Sequence, residues 1–276
     1  MKRIIVTSVT ICSVLLLAFT AVGNVKGQQS SRTFGLPPQA RQINPGVFDL
    51  GTSFDHNEKV QGLAILHPRP AVSQSKPNYK PGGASSCYGF IANGRRWRET
   101  EGYYLDPVNS DGYSSAEVLY DISAGMSTWD GQVSFSIFGN NLGNLVDGMD
   151  SSATDGKNEI MFGDIQEPGT IGVTIVWYTV GGPPSSRRIV EFDMMFEDPD
   201  FNWGNAGATN ESVLGDTNFM DFANISAHEL GHAAGMGDVY DPSCSEQTEY
   251  GYGQEGETKK RTLNAADIAG IISLYR

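Results

Sequence analysis

Basic side chains are scarce in this chain, whose 276 residues carry 19 lysines and arginines against 32 acids and a formal charge of −13. Such a surface repels phosphate rather than neutralising it, which excludes nucleic acid and anionic membrane as partners. Histidine is scarcer still, with four in the whole chain, so any ordered spacing of histidines is informative. Internal repeats and a low-complexity acidic tail are both absent. None of the acidic loops, Asp147-Gly148-Met149-Asp150 with Asp155, or Glu197-Asp198-Pro199-Asp200, has the spacing of an EF-hand. No lipobox surrounds Cys12, and no stop-transfer charge cluster follows the N-terminal apolar run.

That apolar run, Ile4 to Ala21, follows Lys2 and Arg3 and precedes the small residues Ala21, Gly23 and Gly27. The pattern predicts a secretory signal over residues 1–27, a secreted extracellular protein and no stable membrane association. Removing it deletes Lys2, Arg3 and Lys26 and no acid, leaving a still more acidic chain. Two cysteines remain, Cys87 and Cys244, and in an oxidising compartment a single disulfide between them is the default.

The histidines carry the chemistry. Residues 228–238 read His-Glu-Leu-Gly-His-Ala-Ala-Gly-Met-Gly-Asp. On a helix, residues four apart share a face, so His228 and His232 can offer imidazole nitrogens to one tetrahedral zinc while Glu229 stands beside them as general base. Gly235 can take positive φ and end the helix, turning the chain so that Asp238 reaches the metal as third ligand. Three protein ligands leave a fourth position open, as hydrolysis requires. A purely structural zinc site has no need of Glu229.

This stretch, with Leu263-Asn264-Ala265-Ala266-Asp267-Ile268-Ala269-Gly270-Ile271 ahead of a last helix, resembles the metzincin zinc proteases, and most closely the matrixin-like catalytic domain with Asp as third ligand. The resemblance spans roughly Trp97 to Arg276. It implies an α+β, zincin-like domain: a mixed five-stranded twisted sheet with a zinc-site helix and a short C-terminal helix. It also implies a secreted zinc endopeptidase, structural Ca2+ held by acidic loops, and a peptide substrate bound in extended form along an edge strand, here Ile171 to Tyr178. One position departs from the family. No methionine follows Met236, and Glu249 stands where metzincins keep a methionine beneath the metal. An extra ligand, added negative charge and a side chain turned away remain open for it. Two rival arrangements also remain: a catalytically impaired metzincin-fold protein that binds peptides without cutting them, and a thermolysin-like site with Glu246 or Glu249 as remote ligand. For Cys87, the alternative to the disulfide is a latency switch with its thiolate on the zinc, as in matrixin prosegments.

The rest of the chain divides into an N-terminal extension or prosegment, residues 28–90, and the catalytic domain, residues 91–276. Val47 to Leu50 and Val60 to Leu66 read as a hairpin around Asp55-His56-Asn57-Glu58, with His56 and His67 expected at the surface. Pro68 to Gly83 reads as a linker. A capping box, Ser114 with Glu117, opens a helix to Trp129 on which Val118, Leu119, Ile122 and Met126 recur at helical spacing. Strands are expected at Gly102–Leu105, Val133–Ile137, Glu159–Phe162, Ile171–Val180 and Val190–Phe196, and their order with the two helices gives an α+β fold.

Overall fold

The computed structural model describes residues 32–70, 87–207 and 215–276; the signal segment and residues 71–83 of the linker lie outside the described residues. The strands in chain order are β1 (Thr33–Phe34), β2 (Arg41–Asn44), β3 (Val47–Asp55), β4 (Glu58–Pro68), β5 (Gly89–Phe90), β6 (Glu101–Leu105), β7 (Phe138–Asn141), β8 (Glu159–Ile165), β9 (Thr170–Thr179), β10 (Ile189–Glu197), β11 (Trp203–Gly204), β12 (Met220–Asp221) and β13 (Met236–Gly237). Three α-helices accompany them: α1 (Ser115–Asp130), α2 (Phe222–Ala234) and α3 (Ala265–Tyr275). The fold is α+β with a mixed sheet, as the element order predicts.

The main sheet has nine strands rather than five, because the N-terminal hairpin is built into it. Its order is β2-β3-β4-β9-β10-β8-β6-β7, and β1 shares the flank of β8 with β6. Strand β10 runs parallel to β8 and antiparallel to β9. Strand β9 is therefore not an edge. Antiparallel β4 pairs along its length, from Val60 opposite Thr179 to Pro68 opposite Thr170. All ten residues of β9 are buried, which is the physical reason it reads as a continuous apolar run: both faces and both flanks are covered.

One face of the sheet packs against the helices, through Leu63 and Ile65 of β4, Val176 of β9 and Phe192, Met194 and Phe196 of β10. The opposite face gathers Phe34, Leu50, Val60, Ala64, Leu66, Val173, Ile175 and Trp177 into a second cluster. Burying Val60, Leu63, Ile65 and Leu66 alone contributes on the order of 6–12 kcal/mol gross, before the entropy of ordering β4. The period of two that points Leu63 and Ile65 at the helices points His67 there as well.

Helix α1 begins at Ser114, whose hydroxyl accepts the Glu117 amide while Glu117 accepts the Ser114 amide, the expected capping box. Val118, Ile122, Met126 and Trp129 are buried, but Leu119 is exposed, one position off the apolar face. The Trp129 indole donates to Ala227 O, docking α1 on α2. The alternation Val133, Phe135, Ile137 does not become a strand. Asp130 accepts the amides of Ile137 and Phe138, holding this segment as a loop, and pairing starts only at Phe138 opposite Glu101.

Cys87 and Cys244 form a disulfide with Cα atoms 5.3 Å apart, so Cys87 has no thiolate to offer a metal. The bridge joins positions 157 apart in sequence, a closure that restricts the unfolded chain by about 5 kcal/mol in the chain-entropy picture. Cys87→Ser is expected to reduce unfolding free energy by about 2–5 kcal/mol in denaturant titration. Unreduced wild-type protein should take up no alkylating reagent at Cys87 or Cys244 by peptide mass mapping; labelling of both would show that the bridge does not form.

Candidate metal centre

Asp221 caps α2 by accepting the Asn224 amide at 2.9 Å, and Arg261 donates to both Asp221 oxygens. The helix ends at Gly235, whose φ of 103° lies in the left-handed region that a side chain disfavours. After that turn β13 pairs with β5, Met236 opposite Phe90 and Gly237 opposite Gly89, and the chain returns Asp238 to the helix. His228, Glu229 and His232 are fully buried.

Hydrogen bonds to the far ring nitrogens orient both imidazoles. His228 Nδ1 lies 2.7 Å from Thr248 O and His232 Nδ1 lies 3.2 Å from Met236 O. A carbonyl only accepts, so each Nδ1 carries the proton and each Nε2 lone pair faces inward. Asp238 Oδ1 sits 3.4 Å from His228 Nε2 and 3.6 Å from His232 Nε2. These three atoms have no hydrogen-bond partner despite full burial. Tetrahedral zinc with bonds of about 2.0–2.1 Å sets its ligand atoms about 3.3–3.4 Å apart, so the donor set fits that ion. The other Asp238 oxygen accepts from the Tyr240 hydroxyl at 2.9 Å.

Burial holds His232 below its ordinary range and pushes His228 down to about 3, so both stay neutral as ligands must. Burial works the other way on Asp238, yet its carboxyl stays below its usual value, and the Tyr240 hydroxyl that donates to its second oxygen acts in that direction. Glu229 is pushed up to about 8 by burial, partly offset by Thr174, whose hydroxyl donates to Oε2 at 2.6 Å. Its Oε1 has no hydrogen-bond partner. Gly172 of β9 makes room for this carboxylate, since a Cβ there would fall 2.8 Å from Oε1.

Two residues not expected at the site, His67 and Lys260, complete its surroundings. His56 is exposed as expected, but His67 is fully buried. The His67 ring lies 3.8 Å from that of His228, and its Nδ1 is 3.5 Å from Glu229 Oε1. Lys260, also fully buried, reaches His67 Nε2 at 3.1 Å and donates to Tyr250 O at 2.5 Å. The signal for His67 was present in β4: it continues the face of Leu63 and Ile65. The remote-glutamate arrangement finds no geometry, because Glu246 is largely exposed beside Lys259 and Glu249 lies on the Nδ1 side of His232, away from the three converging atoms.

The two acidic loops differ. Around β10, Glu197 accepts the amides of Ile165 and Asp200, and Asp198 accepts that of Ser110, so these acids are satisfied by backbone. By contrast, ligand atoms of Asp150, Asp155 and Glu191 lie within 4.8 Å of one another, as do those of Asp147, Asp155 and Glu159. Glu191 is buried, and its Oε1 and Asp150 Oδ2 have no partner.

The chain matches no model of a known protein family and no curated protein.

Burial, then the neighbouring acids, push Glu191 up to about 9 and Asp150 up to about 6. A carboxyl held above its unfolded value favours folding while protonated, so this contribution is present below about pH 4 and is lost as pH rises through about 6 and then 9. Metal-free protein should therefore lose thermal stability between pH 5 and 9.5, and Glu191→Gln should flatten that slope. An unchanged slope in the variant would place the pH dependence elsewhere.

Proposed function

We propose that this chain is a secreted zinc endopeptidase of the metzincin type, matrixin-like, with His228, His232 and Asp238 as metal ligands and Glu229 as the catalytic residue. The observation that carries the reading is the convergence of three unpartnered, fully buried ligand atoms beside a carboxylate with one oxygen fixed and one free. Zinc, when bound, supplies Lewis acidity toward a peptide carbonyl and lowers the pKa of water. Thr174 holds Glu229 Oε2, leaving Oε1 to accept the proton of the attacking water and return it to the leaving amine. Tyr240 holds Asp238 through its second oxygen, fixing the third ligand.

The peptide substrate is proposed to add as a strand to β9, which in this structure is paired with β4. The N-terminal residues cover the centre too. Tyr240 OH lies 3.2 Å from Pro45 O, and residues Ile43 to Pro45 separate two cavities of about 630 and 230 Å3 that both touch Tyr240. The larger is flanked by Arg69 and Tyr252, the smaller by Phe90 and Asp238. Such covering is what a latent enzyme would need, with its own hairpin in the proposed substrate's place. The covered flank is also the observation that favours the second reading, a peptide-binding protein that does not cut; the placement of Glu229 favours cutting. Structural Ca2+ draws support from Asp150, Asp155 and Glu191, and is expected to raise the thermal midpoint more at pH 8 than at pH 5.

Three outcomes test the enzyme reading on an unstructured protein substrate. Chelator should abolish cleavage and zinc restore it. Glu229→Ala should keep one zinc per chain by metal analysis while lowering turnover by at least ~10²; turnover like the parent's would remove Glu229 from the mechanism. Limited proteolysis that separates residues 32–70 from the rest should raise turnover, whereas zinc-loaded protein that stays inert before and after such a cut would favour the binding protein.

A further inference from the structure

We infer that Glu249 is a positioning residue for the metal site: it holds a buried carboxyl oxygen against the Nδ1 side of His232, next to the bond that ring makes to Met236 O, and thereby fixes this ligand. The inference rests on the zinc reading above. Its Oε2 lies 3.2 Å from His232 Nδ1, in ion-pair range but without the geometry of a hydrogen bond, beside the Met236 carbonyl that accepts that N–H. Two oxygens facing one ring nitrogen leave the imidazole a single tautomer, with Nε2 free for a metal.

The surrounding chain is built to hold that carboxylate there. Glu249 is fully buried, and its amide and that of Thr248 donate to the two oxygens of Asp267, the third residue of α3. The Glu249 carbonyl accepts the Val239 amide, one residue after Asp238. Thr248 O takes the Nδ1 proton of His228. Residues 248 and 249 thus address both histidines from one pinned turn. Helix α2 leaves room above it: a side chain at position 231 would run into the Glu249 carboxylate and fall 2.6 Å from the Trp129 ring, and the residue there is Gly231.

Burial sets the direction of the effect on stability. Glu249 is fully buried with neither carboxyl oxygen hydrogen-bonded, so an apolar side chain there removes an unsatisfied polar group rather than a stabilising bond. Of the three roles the sequence leaves open for Glu249, its place on the Nδ1 side of His232 speaks against direct ligation and against a side chain turned away, and action through His232 is a fourth.

The test compares Glu249→Met with Glu249→Gln in the full-length chain, reading zinc affinity by chelator competition, the visible spectrum of the cobalt-substituted protein, and thermal stability without metal. Glu249→Met is expected to bind zinc about 10–100-fold more weakly and to shift the cobalt bands, while its metal-free form is at least as stable as the parent. Glu249→Gln, which keeps an acceptor oxygen, should recover part of the affinity. Parent-like zinc affinity and cobalt spectrum in Glu249→Met would overturn the inference. So would a loss that Gln fails to recover together with a destabilised metal-free protein, since Glu249 would then be structural. Failure of the parent itself to bind zinc would instead sink the zinc reading, and is distinguished by that control.

Discussion

Everything around α2 answers to one constraint: a helix with nearly every residue buried carries two imidazoles and a carboxylate into a space that water does not reach. A buried polar atom without a partner is destabilising by about 1–3 kcal/mol, more if charged, so each group on that helix needs a specified neighbour. Thr248 O, Met236 O and Thr174 Oγ1 satisfy the outward atoms. The inward ones are left facing each other and Asp238. A metal ion is the compensating partner proposed for them, and the long-range elements of the fold, β4, β9 and the 247–251 turn, border that point.

The same constraint explains how the N-terminal hairpin is held. Strand β4 adds apolar residues to both faces of the sheet and also brings His67 and, through it, Lys260 against the centre. A segment with only backbone pairing would peel from β9 as edge strands do; one that contributes to two cores and a polar cluster does not. The covering of β9 by β4 therefore holds while the chain is intact.

Local chemistry was legible from the sequence and partnership was not. The Ser114–Glu117 capping box, the left-handed Gly235 and the paired faces of His228 and His232 each follow from residues within a few positions of one another, and each is where the spacing put it. The hairpin through Asp55 to Glu58 is too, with His56 and Asn57 at positive φ. What pairs with β9 is decided by a segment about a hundred residues earlier, and no local pattern carries that. The uninterrupted burial of β9 did register as an apolar run, but an apolar run does not name its neighbour. Val133 to Ile137 shows the converse: it alternates like a strand, yet Asp130 claims its amides and no neighbour offers a ladder. Glu249 could be placed by spacing, while its contact with His232 required the turn that Asp267 pins.

The scarcity of histidine has a practical side. Of the four in the chain, His67, His228 and His232 lie against one another at the centre, and His56 stands exposed on a hairpin turn. In magnetic-resonance terms the protein is labelled by its own composition: the imidazole region of a spectrum reports three rings from the site and one from an exposed turn far along the chain from the helix.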